Sequence, residues 1–207
     1  MKIETFVVGM METNCYLVSN EETREAVLID PGDSPQTMID AIRSEELSLQ
    51  AILLTHAHFD HIGGLKEIVK EFSVPVYVYE KDQDMLKDPD LNVSRSYIPG
   101  GFSFEDAVSV TDGQVLHLAG YDFQVIYTPG HTIGSCCYYV ASEGILFSGD
   151  TLFQLSVGRT DFPTGSTLDL MASIKEKLFV LPEEVHVYPG HMGETEIGYE
   201  KAHNPFV

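Results

Sequence analysis

The apolar run Ala51-Ile52-Leu53-Leu54, followed at once by Thr55-His56-Ala57-His58-Phe59-Asp60-His61, constrains this chain more than any other stretch. The run reads as a buried strand, and directly behind it four potential metal ligands fall within six positions. His56 and His58 project to the same side of an extended segment, so one cation could take both. Asp60 and His61 fall where Ile62-Gly63-Gly64-Leu65 turns the chain into a helical pattern. That change of period swings their side chains to a different azimuth, where a second cation could sit. A lone histidine is ordinarily a hydrogen-bonded core residue or a solvated one; four ligands packed behind a strand are a site.

Alternation and turn signals predict strands over residues 2–9, 15–19, 26–29, 51–55 and 76–79, and helices over 35–46 and 63–72. This half alternates strand and helix. Ser34 ahead of Pro35 has the form of an N-cap followed by a first-turn proline. Residues 80–101 are charged and irregular, with a short helix over 80–87, and read as a flap or insertion. Strands resume at 114–118, 122–127, 135–141 and 145–149, then comes a loop, a helix over 168–179 behind Ser166-Thr167, a strand at 185–188 and a last helix over 195–203. His131, Asp150 and His191 each stand just beyond one of these strands, as His56 does, and each directly follows a glycine. Strand ends of the same polarity would converge on one rim, where sheet proteins place their sites. A glycine before each residue allows a tight bend and close approach to a bound ion.

With 207 residues and 43% hydrophobic composition, the chain is expected to fold as a single domain over 1–207. Its net charge of −20, from 32 acidic and 12 basic residues, argues against nucleic-acid phosphates or anionic lipid as the main partner. An anionic substrate must therefore be drawn by local positive charge, from bound metals and a few named Lys or Arg. Cys15, Cys136 and Cys137 are an odd number, and the adjacent pair cannot easily bridge, so no disulfide is expected and Cys136 and Cys137, in a strand-like run, are expected as core hydrophobes. No apolar run approaches the ~20 residues of a membrane span, and the protein is expected in the cytoplasm.

In order, His56-x-His58-x-Asp60-His61, Gly130-His131, Ser148-Gly149-Asp150 and Gly190-His191 resemble the metallo-β-lactamase superfamily over nearly the whole chain. The resemblance implies a four-layer αββα sandwich with the site at one edge; composition and periodicity alone indicate only mixed α/β. It implies that His56, His58 and His131 hold a first metal and Asp60, His61 and His191 a second, with Asp150 bridging and Asp60 also catalytic. Asp30, in Asp30-Pro31-Gly32, is similar to a family position behind the ligands and could accept a histidine N–H, or could simply form a turn. Gly158-Arg159-Thr160-Asp161-Phe162 resembles the substrate-facing loop of short bacterial glyoxalase II-like hydrolases and of persulfide dioxygenases. Arg159 stands where related enzymes place a cation for a substrate carboxylate. Longer glyoxalase II enzymes carry an additional C-terminal helical domain that binds glutathione; this chain is expected to lack it.

The activity so implied is hydrolysis of a small-molecule thioester, such as S-lactoylglutathione or a related acylated low-molecular-weight thiol, by a metal-bridging hydroxide. Two divalent metal ions are required, zinc foremost, although the same His and Asp ligands accept iron or manganese. True β-lactamases usually carry Cys or another residue where Asp150 stands, which argues against antibiotic hydrolysis. The rival on the same scaffold is a persulfide dioxygenase with a single iron on His56, His58 and Asp150 or His131. A nuclease conflicts with the acidic charge, and a non-catalytic metal-binding protein would not need so complete a ligand set.

Overall fold

The computed structural model describes residues 1–207. Strands β1 (Lys2–Val8), β2 (Thr13–Ser19) and β3 (Glu25–Ile29) form an antiparallel meander. Helix α1 (Pro35–Ser44) leads to β4 (Ser48–Leu53), and the short α2 (Phe59–Ile62) and α3 (Leu65–Phe72) lead to β5 (Val76–Tyr79). After α4 (Gln83–Lys87) the chain reaches β6 (Ala107–Val110), which closes the first sheet in the order β1-β2-β3-β4-β5-β6 with β3 to β6 parallel.

The second half supplies β7 (Val115–Leu118), β8 (Tyr121–Tyr127), β9 (Cys136–Val140) and β10 (Ile145–Gly149), then the small hairpin β11 (Leu152–Phe153) and β12 (Ser156–Val157). Helix α5 (Thr167–Ser173), β13 (His186–Pro189), β14 (Thr195–Glu196) and α6 (Ile197–His203) complete it. The second sheet runs β14-β13-β10-β9-β8-β7. Because β8 and β10 both run antiparallel to β9, and β13 is parallel to β10, the chain leaves β8, β10 and β13 at the same end.

Period-two alternation builds the layers, since neighbouring residues of a strand face opposite sides. In β3, Val27 and Ile29 enter the core between the sheets, while Ala26 and Leu28 face α1 and α3. In β9, Cys136 and Tyr138 face the other sheet and Cys137 faces α5 and α6, so the adjacent cysteines are buried on opposite faces. Three apolar cores between four layers give the αββα sandwich.

Several local expectations are corrected. Ser34 does not cap α1: it has a left-handed backbone at φ +50° and makes no side-chain capping bond. β4 ends at Leu53, so the histidines follow on an irregular loop rather than at a strand end. The expected flap over 80–101 is folded against the first sheet, with Met85 and Leu86 in the helix-side core, and β6 follows it as an additional strand. The helix expected over 168–179 is α-helical only to Ser173 and continues as a π-helical turn over Ile174–Leu178.

Tyr138 is fully buried between the sheets and donates its hydroxyl to the carbonyl of Leu54, 2.9 Å away and two residues before His56. Tyr138→Phe keeps the packing and should cost about 1–3 kcal/mol by leaving that carbonyl short of a donor. Phe123→Ala should cost about 3–5 kcal/mol by opening a cavity. Urea denaturation checks both, with a lowered midpoint and an unchanged slope.

Candidate metal centre

Seven side chains from both sheets meet at one edge. His56 and His58 come from the loop after β4, Asp60 and His61 from α2, His131 from the turn after β8, Asp150 from the end of β10 and His191 from the turn after β13. His56 and His131 stack edge-on with ring centroids 4.7 Å apart, and His58 Nδ1 lies 2.8 Å from His131 Nε2. This first trio could hold a cation, as could the trio Asp60, His61 and His191. Asp150 lies between them: its Oδ2 is 3.4 Å from both His131 Nε2 and His191 Nε2, and its Oδ1 is 3.4 Å from His61 Nε2. Gly190 lets this happen, because a Cβ there would overlap Asp150 Oδ1.

Hydrogen bonds at the far ring nitrogens fix which face of each imidazole is free. His61 Nδ1 donates to Asp30 Oδ2 at 3.0 Å, His131 Nδ1 to the Arg159 carbonyl at 2.8 Å and His191 Nδ1 to the Met11 carbonyl at 3.1 Å. The Thr55 hydroxyl gives its proton to Asp30 Oδ2 at 2.6 Å, so the oxygen must accept from His56 Nδ1 at 3.1 Å. Carbonyls and carboxylates only accept, and each bond therefore turns Nε2 toward the centre. His56 Nε2 and Asp150 Oδ1 are buried there without a hydrogen-bond partner. A divalent cation would satisfy both, and the nitrogen and oxygen donors suit one. His58 is the exception, since its Nδ1 faces the cluster and its buried Nε2 has no partner. Asp30 also accepts from Thr55 N at 2.8 Å, so although it lies near His56 and His61 its oxygens are committed behind the ligands.

The trios differ in charge. Burial drives His56 well below the ordinary histidine range and takes His58 down to about 3; it lowers His131 as well. Burial also opposes charge on His61 and His191, but carboxylates outweigh it. Asp60, Asp150 and Asp30 raise His61, and Asp150 and Asp60 raise His191 to about 11. Asp60 is pushed up by burial and pulled down further by His61 and His191, to about 2. Asp150 falls well below the carboxylate range, because His61, His131 and His191 overcome its burial.

The centre opens into a cavity of about 410 Å³ lined by Phe153, Phe162, Met192 and Arg159 among others, and an adjoining one of about 220 Å³ lies over Asp60 beside Met10, Tyr97 and Asp33. Arg159 lines the cavity wall, but its guanidinium is engaged, with Nε and Nη2 each 2.7 Å from Asp161 and its plane over the Phe162 ring. Sequence reasoning does not single out Thr55, nor Asp82, which lies in a charged run yet is buried and accepts from Ala57 N and Thr132 Oγ1. It also missed Thr13, whose hydroxyl donates to Asp60 Oδ2 at 2.9 Å.

A two-sheet sandwich with a His and Asp cluster at one edge defines a class of metal-dependent proteins. The chain belongs to the metallo-beta-lactamase superfamily, whose model matches residues 8–191. The hydroxyacylglutathione hydrolase GloC of Haemophilus influenzae is 35% identical over 209 residues, covering 100% of this chain and 98% of that protein. Among solved structures, the B3 metallo-beta-lactamase BLEG-1 superposes with a TM-score of 0.93 at 42% identity, covering 99% of each chain. TTHA1623, solved in a di-iron-bound form, gives 0.86 at 37% identity over 99% of this chain and 100% of that one.

Two outcomes follow. Asp150→Ala should lower occupancy of both cations together and His191→Ala chiefly of one, which elemental analysis checks; full two-metal occupancy in the Asp150 variant would remove the bridging role. Cation uptake by the second trio must displace a proton from His191, which its carboxylate neighbours raise to about 11, whereas burial favours the neutral form of the first trio's histidines. Second-trio affinity should therefore fall on acidification between about pH 8 and 6, by about tenfold per pH unit for the His191 proton, and more steeply than first-trio affinity. Calorimetric titration in buffers of different ionisation enthalpy counts those protons.

Proposed function

We propose that this chain is a binuclear metal-dependent hydrolase of small-molecule thioesters, S-lactoylglutathione or a related acylated low-molecular-weight thiol, working with two divalent ions of which zinc is foremost. The observation that carries the reading is the pair of complete trios sharing Asp150 beneath one cavity. Two cations held by His56, His58 and His131 and by Asp60, His61 and His191 would supply an ionised water at neutral pH and polarise an acyl carbonyl. The protein's own part is orientation. Asp60 is anionic throughout the neutral range and held by Thr13, so its carboxylate can bind in the second trio and accept a hydrogen bond from the attacking water. Asp30, Thr55, Arg159 O and Met11 O keep the imidazoles from rotating away. A thiolate leaving group, from a thiol of pKa about 8.5, needs little protonation. Full-length similarity to a hydroxyacylglutathione hydrolase supports the thioester as the substrate class.

Arg159 is the cation that would meet a substrate carboxylate. Its pair with Asp161 is solvent-exposed, and such pairs are worth about 0–1 kcal/mol, so a carboxylate that binds on both prongs can replace Asp161. BLEG-1, which this chain resembles, is a B3 metallo-beta-lactamase, so a β-lactam amide is the competing substrate in the assay.

The expected result is close to two metals per chain, hydrolysis of S-lactoylglutathione without oxygen uptake, little turnover of a β-lactam and loss of hydrolysis in His61→Ala. One iron per chain with glutathione persulfide driving oxygen consumption would sink the hydrolase reading, and faster β-lactam than thioester turnover would sink the substrate. Arg159→Ala should raise KM for an anionic thioester far more than it lowers kcat, and Asp161→Asn should lower that KM. Equal KM values in all three proteins would give the loop another role.

A further inference from the structure

Asp82 follows β5 and is completely buried, yet no cation faces it. Its Oδ2 accepts from Ala57 N at 3.0 Å and from Thr132 Oγ1 at 2.8 Å, and its Oδ1 accepts from Gly134 N at 2.7 Å. Ala57 stands between His56 and His58, and Thr132 directly follows His131. One carboxylate thus grips, from behind, the two loops that carry the first trio, and these loops belong to different sheets. The approach is close enough that a Cβ on Gly134 would overlap Asp82 Oδ1. The chain that follows Asp82 takes another amide of the histidine loop, since the Asn92 carbonyl accepts from Phe59 N at 3.0 Å. Residues 57 and 59 are therefore tied by their backbone amides to Asp82 and Asn92, one on each side of His58.

We propose that Asp82 is a positioning residue for the first cation: by bracing the histidine loop against the His131 turn it sets the spacing of His56, His58 and His131, and with it their affinity for metal. Asp82 touches none of the three imidazoles, so it acts only through the backbone between them. A carboxylate suits the task because it offers acceptors to three donors at once. An asparagine offers one acceptor oxygen, and its NH₂ would confront an N–H or hydroxyl proton that needs an acceptor. Burying an acid without a counter-charge is costly. Burial raises Asp82 to about 6 against the pull of its three donors, which leaves it ionised at neutral pH. The inference goes beyond the proposed reaction, since it concerns cation affinity and is read without substrate.

The test is Co²⁺ titration of chelator-stripped protein, followed by visible absorption. In a His191→Ala background, where the second trio is broken, Asp82→Asn should weaken Co²⁺ binding by about 10–100-fold and alter the band envelope. In a His131→Ala background, where the first trio is broken, the same change should leave Co²⁺ affinity as it was. Thr132→Val removes one arm of the brace and should weaken binding in the His191→Ala background, and Thr132→Ser, which keeps the hydroxyl, should not. Equal losses in both backgrounds would make Asp82 a general stabiliser and overturn the proposal. So would unchanged affinity and spectrum in a natively folded Asp82→Asn protein, or Thr132→Val and Thr132→Ser behaving alike. Should Asp82→Asn fail to fold, the Thr132 pair decides on the same criterion.

Discussion

Lone pairs that point at one another in a dry cleft repel, and most of what surrounds this centre exists to hold them there. Five imidazoles and two carboxylates meet at the sandwich edge, and rotation of any ring would relieve the crowding. Four rings are prevented from turning because their Nδ1 protons are committed to Thr55, Asp30, Arg159 O and Met11 O. Only something positive can compensate such an arrangement, and here a proton on His191 shares that task with whatever cation binds. The asymmetry is chemically useful: burial favours neutral histidines at one position and carboxylates favour charged ones at the other, so the two positions answer differently to pH and to the charge of an entering ion.

The fold makes this crowding affordable by placing it where chain direction requires a turn. β8, β10 and β13 all end at the same rim, so His131, Asp150 and His191 arrive there without any long detour. The first sheet brings its own contribution to the same edge, and backbone bonds stitch the two together: Cys136 N donates to Thr55 O, and Asn14 N to Gly190 O, each at 2.8 Å. Apolar side chains then wall the cavity while its one arginine is partnered by Asp161, a modest local attraction within an acidic surface.

Residues that bear their chemistry openly were legible from sequence. His56, His58, Asp60 and His61 stand together behind an apolar run, and the strand pattern puts His131, Asp150 and His191 at comparable ends. The layers were less so. Periodicity reports that Val27 and Leu28 face opposite ways but not what covers each face, and only the family resemblance implied a second sheet. β6 escaped notice because its four residues alternate weakly at a sheet edge, half exposed. Asp82 was hidden for a different reason: within Glu80-Lys81-Asp82-Gln83-Asp84 nothing distinguishes a buried acid from a solvated one, since its partners lie 25 to 52 positions away. Ser34 misled because the Ser-Pro pattern fits a cap whose backbone geometry the preceding turn does not permit.

Residues 2–110 make one sheet and 115–196 the other, and each trio takes two members from the first and one from the second. His61 and His191 are 130 positions apart, so neither half alone contains a complete site. Folding must bring the halves into register before either cation gains its third ligand, and such distant pairing is slow to form. Bound ions would then fasten the seam between two half-chains, and the free energy of binding them would be felt as cohesion of the whole sandwich rather than as rigidity of one loop.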